Sequence, residues 1–202
     1  MRHLILLAAA VALPAAANGS FFTSFESDLG GFSATGDWER GIPTGVNGSA
    51  LGGFGGPEPS AAFDGEFVVG TVIGGLHSPA LTSSLSQTFD INGLDYPQLT
   101  YYEWLDSGGN TFDTAEVFVD GSLALLADGG PTGAWREVVI PLAALDAGGD
   151  GLVTVEFVFS ASTVVERVGW YLDSVSVAAI PEPASLSLLG MAGLGLVRRR
   201  SA

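Results

Sequence analysis

Glu103 and Asp106 stand three residues apart in YYEWLD, Asp113 and Glu116 three apart in DTAE, and His77 adjoins Ser78 in GLHSPAL. A pair of carboxyl groups can hydrolyse a glycosidic bond, one protonating the leaving oxygen while the other acts as base or nucleophile. A histidine next to a serine offers a base and a nucleophile for acyl transfer. Spacing selects neither. With 21 acidic residues between positions 20 and 179, chance pairs are expected. Adjacent residues on a strand point to opposite faces, so His77 and Ser78 would not meet. His77 reads most simply as a solvated loop residue. The motifs G-x-S-x-G and H-E-x-x-H are absent, and the glycine-rich GSALGGFGG from Gly48 lacks the lysine of a phosphate loop, so it reads as a flexible loop. The chain has no cysteine, which excludes disulfides, thiolate zinc sites and thiol nucleophiles. No catalytic residue is expected.

Aromatic residues offer binding rather than catalysis. Tyr101, Tyr102 and Trp104 lie on one predicted strand, so Tyr102 and Trp104 share a face and Tyr101 points the other way. An aromatic face stacks on a sugar ring, which makes Tyr102 and Trp104 candidate carbohydrate contacts; packing in a sandwich core is the commoner use of such residues. Charge narrows the partners further. The formal net charge is −15, and between residues 20 and 179 only Arg40, Arg136 and Arg167 face 21 acidic residues, 3 − 21 = −18. A domain this acidic repels phosphate backbones, which argues against nucleic acid. Divalent cations suit the surplus carboxylate; a surface that resists aggregation is the plainer reading.

The elements that must position these residues are strands. LSQTFDI (85–91), AEVFVDG (115–121), LVTVEFVFS (152–160) and GWYLDSVSV (169–177) alternate apolar and polar residues, and turns such as Ser107-Gly108-Gly109-Asn110 and Asp120-Gly121 separate them. Only PLAALDAG (141–148) could form a helical turn. Glycines between 41 and 56 mark a long loop. The pattern predicts an all-β fold, a two-sheet β-sandwich of jelly-roll type over residues 18–179.

Both ends read as addresses. Residues 1–17 have a basic start at Arg2, an apolar run from Leu4 to Leu13 and an alanine cleavage site, the pattern of a secretory signal peptide. Residues 180–202 hold Pro181, Glu182 and Pro183, then an apolar run from Ala184 to Val197, then Arg198, Arg199 and Arg200. As a helix those 14 residues would span about 21 Å, short of the roughly 30 Å of a hydrocarbon core. The arginines would hold the C-terminus on the cytoplasmic side. This tripartite tail resembles the PEP-CTERM sorting signal. The resemblance implies that Pro181, Glu182 and Pro183 are a recognition element, that an exosortase processes the tail after transient inner-membrane insertion through a short helix, and that the protein reaches the cell envelope, surface or extracellular matrix.

A second resemblance lies in the order of FESDLGGFSATGDWERGIPTG, LHSPAL, LTYYEWLD, FDTAEVFVDG, WREVVIPLAAL and GWYLDSVSV across residues 21–178, which resembles the MAM-like jelly roll of bacterial envelope proteins. That resemblance implies one structural ion where the first and last strands meet. Glu26 in SFES, Asp173 in YLDSV and Asp64 in FDGEF are then the ligands for Ca²⁺, which takes about six to eight oxygens. The whole chain reads as a secreted, non-enzymatic, structural or adhesive protein beside an exopolysaccharide. The alternative is a carbohydrate-binding protein or a polysaccharide-active enzyme of glycoside hydrolase type.

Overall fold

A computed structural model describes residues 20–53 and 55–180. The expected signal peptide, the short C-terminal helix and the sorting residues Pro181, Glu182, Pro183, Arg198, Arg199 and Arg200 lie outside the described residues. Eleven strands follow one another: β1 Phe21–Thr23, β2 Ser33–Ala34, β3 Glu39–Gly41, β4 Val68–Gly70, β5 Thr82–Asp90, β6 Pro97–Asp106, β7 Thr114–Val119, β8 Ser122–Leu126, β9 Arg136–Pro141, β10 Leu152–Ser160 and β11 Gly169–Ala179.

They form two antiparallel sheets. Sheet A runs β3-β4-β11-β6-β9 with β1 also paired to β11, and sheet B runs β2-β5-β10-β7-β8. Within them β4-β11-β6-β9 faces β5-β10-β7-β8, and from β4 to β11 successive strands change sheet except at the β7–β8 hairpin. This is the jelly roll that the alternating segments predict. The segment 152–160 is β10 to the residue, and β7 and β11 differ from their predicted spans by one or two positions. The Asp120-Gly121 turn joins β7 to β8 with both residues at positive φ, +48° and +73°, as a two-residue type I′ hairpin requires.

Alternation decides which residues meet between the sheets. Val153, Val155, Phe157 and Phe159 of β10 face Leu99, Tyr101 and Leu105 of β6 and Trp170 and Leu172 of β11 in one continuous core. The Phe157 ring touches Phe32, Tyr101 and Trp170, and truncating such a residue to alanine costs about 3–5 kcal/mol. From Gly169 to Val175 every residue of β11 is buried. The strand is central in its sheet, and its outer face is covered too.

PLAALDAG makes the single turn expected of it, closed by Leu145 N–H donating to the Leu142 carbonyl, with β9 continuing through Pro141. Two expectations are corrected. The Gly48 segment is shaped rather than open: Gly48–Leu51 is a 3-10 turn capped by the Asn47 side chain, and Asn47 bridges to Pro57. His77 is not solvated but buried, with Nε2 3.1 Å from Asp113 Oδ2 and its ring edge-on to Phe159.

Candidate functional site

The cover over β11 is the connection between β3 and β4, residues 42–67, which lies across the outer face of sheet A. Strand register puts the relevant side chains on that face in rows: Tyr171 of β11 opposite Trp104 of β6, then Asp173 opposite Tyr102, which in turn faces Glu137 of β9. Directly opposed residues of antiparallel strands project to the same side. Each row holds a part of the connection. Trp104 Nε1 donates to the Pro57 carbonyl at 3.0 Å, and Trp135 Nε1 donates to the Ala61 carbonyl at 3.1 Å. The two indoles meet edge to face at 6.1 Å.

Glu58, 1% exposed, is the anchor with the most donors, and among the described residues no cation pairs with it. Its Oε1 accepts from Thr44 N–H at 2.6 Å, from Val46 N–H at 3.3 Å and from the Thr44 hydroxyl; Oε2 accepts from Gly74 N–H and the Tyr171 hydroxyl, both at 2.9 Å. Burial alone would raise its carboxyl, yet these donors together hold it below the usual glutamate value. Burial and the neighbouring Glu58 charge push the Tyr171 hydroxyl far up, so it stays a donor.

The end of the connection, AAFDGEF (61–67), carries the exposed part of the site. Asp173 Oδ2 accepts from Phe63 N–H at 2.8 Å and Asp64 N–H at 2.9 Å, and Oδ1 accepts from Ser174 N–H at 2.6 Å. Asp173 is wholly buried, and desolvation pushes its carboxyl up to about 6 in spite of those three donors. Glu26 Oε1 accepts from Glu66 N–H at 3.0 Å and Phe67 N–H at 2.9 Å. Gly65 permits this approach: its φ is +70°, and a Cβ there would stand 2.4 Å from the Glu26 carboxylate. Between these two grips the ring of Phe63, 44% exposed, lies flat on Tyr102, with centroids 3.5 Å apart and planes 12° apart. The Tyr102 hydroxyl donates to Glu137 Oε1 at 3.3 Å.

The structure thus brings Glu26, Asp64 and Asp173 to one loop, where the first and last strands meet. Their fit to a calcium ion is another matter. Glu26 Oε1 and both Asp173 oxygens accept from backbone N–H groups, and the Phe25 and Glu26 carbonyls accept from the Arg40 guanidinium, which also sits 3.6 Å over the Phe67 ring. Among the described residues no group of three or more His, Cys, Asp or Glu side chains is gathered to hold a metal. A calcium site needs converging oxygens; here Glu26 Oε1 and both Asp173 oxygens are taken up by backbone N–H donors, and Arg40 occupies the neighbouring Phe25 and Glu26 carbonyls.

Tyr102 and Trp104 share the outer face as expected, and Tyr101 is buried in the core. Phe63, their most exposed neighbour, carried no signal in the sequence, since its partner on β6 is 39 residues away. Three of the four paired carboxylates are employed inside the fold, and the fourth, Glu116, is half-buried and accepts, among the described residues, only from the Thr114 hydroxyl. Glu103 accepts from Arg136 Nε at 2.6 Å and from Trp170 Nε1 at 2.8 Å, Asp106 accepts from Gly56 N–H at 2.6 Å and lies 3.4 Å from Arg167, and Asp113 holds His77 and Ser162 N–H. The Ser78 hydroxyl donates to Asp37, away from the imidazole.

The PEP-CTERM protein-sorting motif matches residues 179–201. It marks a protein exported to the cell envelope or surface. No curated protein matches the sequence. Among solved structures, that of TmCBM61 in complex with β-1,4-galactotriose has a TM-score of 0.48 at 13% identity, covering 78% of this chain and 94% of its own. The K1 cleaved adhesin domain of Lys-gingipain from Porphyromonas gingivalis W83 has a TM-score of 0.47 at 16% identity, covering 80% and 98%. A family 35 carbohydrate binding module from Clostridium thermocellum has a TM-score of 0.45 at 12% identity, with the same coverage.

Proposed function

We propose that this exported jelly roll is a non-catalytic, adhesive module that associates with exopolysaccharide through the outer face of sheet A. The observation that carries the reading is the Phe63–Tyr102 stack. A phenylalanine left 44% exposed and held flat offers an apolar face of the size of one sugar ring, with Glu137 beside it to accept a hydroxyl. Trp104 and Trp135 extend the aromatic strip and keep the covering loop in place through their indole N–H groups. Exosortase processing of the tail delivers the module to the envelope, where polysaccharide is the abundant partner.

Affinity electrophoresis in gels containing the producer's own polysaccharide tests the reading. The wild-type protein is expected to be retarded, and Phe63→Ala and Tyr102→Ala are expected to run freely while unfolding at near-wild-type temperatures. Unretarded wild-type protein refutes it.

A further inference from the structure

Residues 61–67 reach across sheet A without a strand partner, yet four of their backbone N–H groups are bound by two carboxylates. Exposed loops ordinarily leave such groups to water. The two carboxylates come from distant points, Glu26 just after β1 and Asp173 within β11, and both close on the segment that carries Phe63.

The local geometry around Asp173 is shaped for this. The β11–β6 register slips between Asp173 and Ser176, and Ser174 adopts φ +49°, a left-handed backbone uncommon for serine. Bulges of this kind re-aim a side chain, and strained positions concentrate where function over-determines them. Here the re-aimed side chain is a wholly buried carboxylate directly opposite Tyr102, and it grips the backbone N–H of the residue whose ring lies on Tyr102. An apolar residue at position 173 would fill the same space without the cost of burying a charge. A charge held there needs a reason, and the Phe63 and Asp64 N–H groups supply it.

We infer that Asp173 and Glu26 are positioning residues for the sugar-stacking face: by holding the 63–67 backbone through its N–H groups, with no metal ion between them, they pre-set the Phe63 ring flat on Tyr102. This rests on the polysaccharide-binding reading of that face. Gly65 is the third part, since only a residue without Cβ lets the Glu26 carboxylate close on the loop. Pre-organisation raises affinity because the ring and its loop need not be ordered on binding.

Three readouts on the full exported chain test the inference. In metal-free buffer with a chelator, amide hydrogen exchange is expected to show protection at Phe63, Asp64, Glu66 and Phe67, and NMR to show ring-current-shifted Tyr102 resonances. Asp173→Ala should release Phe63 and Asp64, erase the Tyr102 shift and weaken retardation by the polysaccharide about tenfold. If Asp173→Ala fails to fold, Glu26→Ala, altered at an exposed side chain, should release Glu66 and Phe67 and weaken retardation in the same direction. Rapid exchange of these amides in the wild type, protection that arises only when Ca²⁺ is added, or carboxylate variants that keep both protection and affinity would each overturn the clasp. Should Phe63→Ala and Tyr102→Ala leave retardation unchanged, the polysaccharide reading falls, and the exchange and ring-current readouts still decide whether the clasp sets the stack.

Discussion

Replacing Glu58 by glutamine keeps the shape of this buried anchor and removes its charge. The amide oxygen can take the place of Oε1 and keep the Thr44 and Val46 donors. The amide nitrogen then faces Gly74 N–H and the Tyr171 hydroxyl, donor against donor. Tyr171 escapes, because its hydroxyl also lies 2.7 Å from the Val72 carbonyl and can donate there while accepting from the new amide. Gly74 N–H has no such alternative and is left unpaired. An orphaned buried N–H costs about 1–3 kcal/mol, and the retained bonds weaken once they are no longer charge-assisted, partly offset by the relief of burying a charge. We expect Glu58→Gln to lose about 2–4 kcal/mol at pH 7, which for a domain of this size is roughly 5–15 °C in Tm. The loss should also depend on pH. Because the folded-state carboxyl lies below the unfolded value of 4.5, its contribution is complete above 4.5 and is lost as pH falls through the folded value. Urea unfolding followed by tryptophan fluorescence, at pH 7 and stepwise down to pH 3, should show the wild type converging on the variant. A variant as stable as wild type at pH 7, or a gap that does not narrow with acid, would refute the assignment of Glu58 as a charged anchor.

Gly65→Ala should cost about 2–3 kcal/mol in chemical denaturation, from the left-handed backbone and the collision with Glu26, whereas Gly93→Ala, at φ +77° with open space around it, should cost only about 1 kcal/mol. Equal losses at the two glycines would remove the case for a close approach. An excess of chelator or of Ca²⁺ should leave the melting temperature unchanged, since backbone N–H groups of the 63–67 loop answer the Glu26 and Asp173 carboxylates; a rise with Ca²⁺ that Glu26→Ala abolishes would place an ion there. His77→Ala strips the buried Asp113 of its imidazole partner and should destabilise by about 3–5 kcal/mol; a thermal melt within a degree or two of wild type would show that the pair contributes nothing.

The jelly roll was legible because period-2 alternation and Asp-Gly turns are local signals, and β10 carries the alternation undiluted. The short strands β1 to β4 were not, because two or three residues hold no period; they exist through pairing with β11, β5 and each other. Tyr102 and Trp104 were legible as one face of one strand. Phe63 was not, since its position depends on hydrogen bonds to a carboxylate 110 residues later in the chain. His77 was misread for a similar reason: a histidine among glycine and proline looks solvated until Asp113, 36 residues on, is folded against it.

Strand β1 begins opposite Val177, and β11 ends opposite Pro97, so the described chain enters and leaves at one pole of the sandwich. The sorting motif begins at residue 179, still within β11. A load on the tail is therefore delivered into the axis of a central strand. Along that axis β11 is paired to β6 on one side and to β1 and β4 on the other, and its hydrogen bonds resist sliding together instead of unzipping one at a time. The same strand carries Asp173, so under the proposed function tension at the tail and grip at the aromatic face would meet in a single element. For a domain held at its pole and seized on its side, that would be a mechanical design: the strand bearing the load also runs beneath the surface proposed to make the attachment.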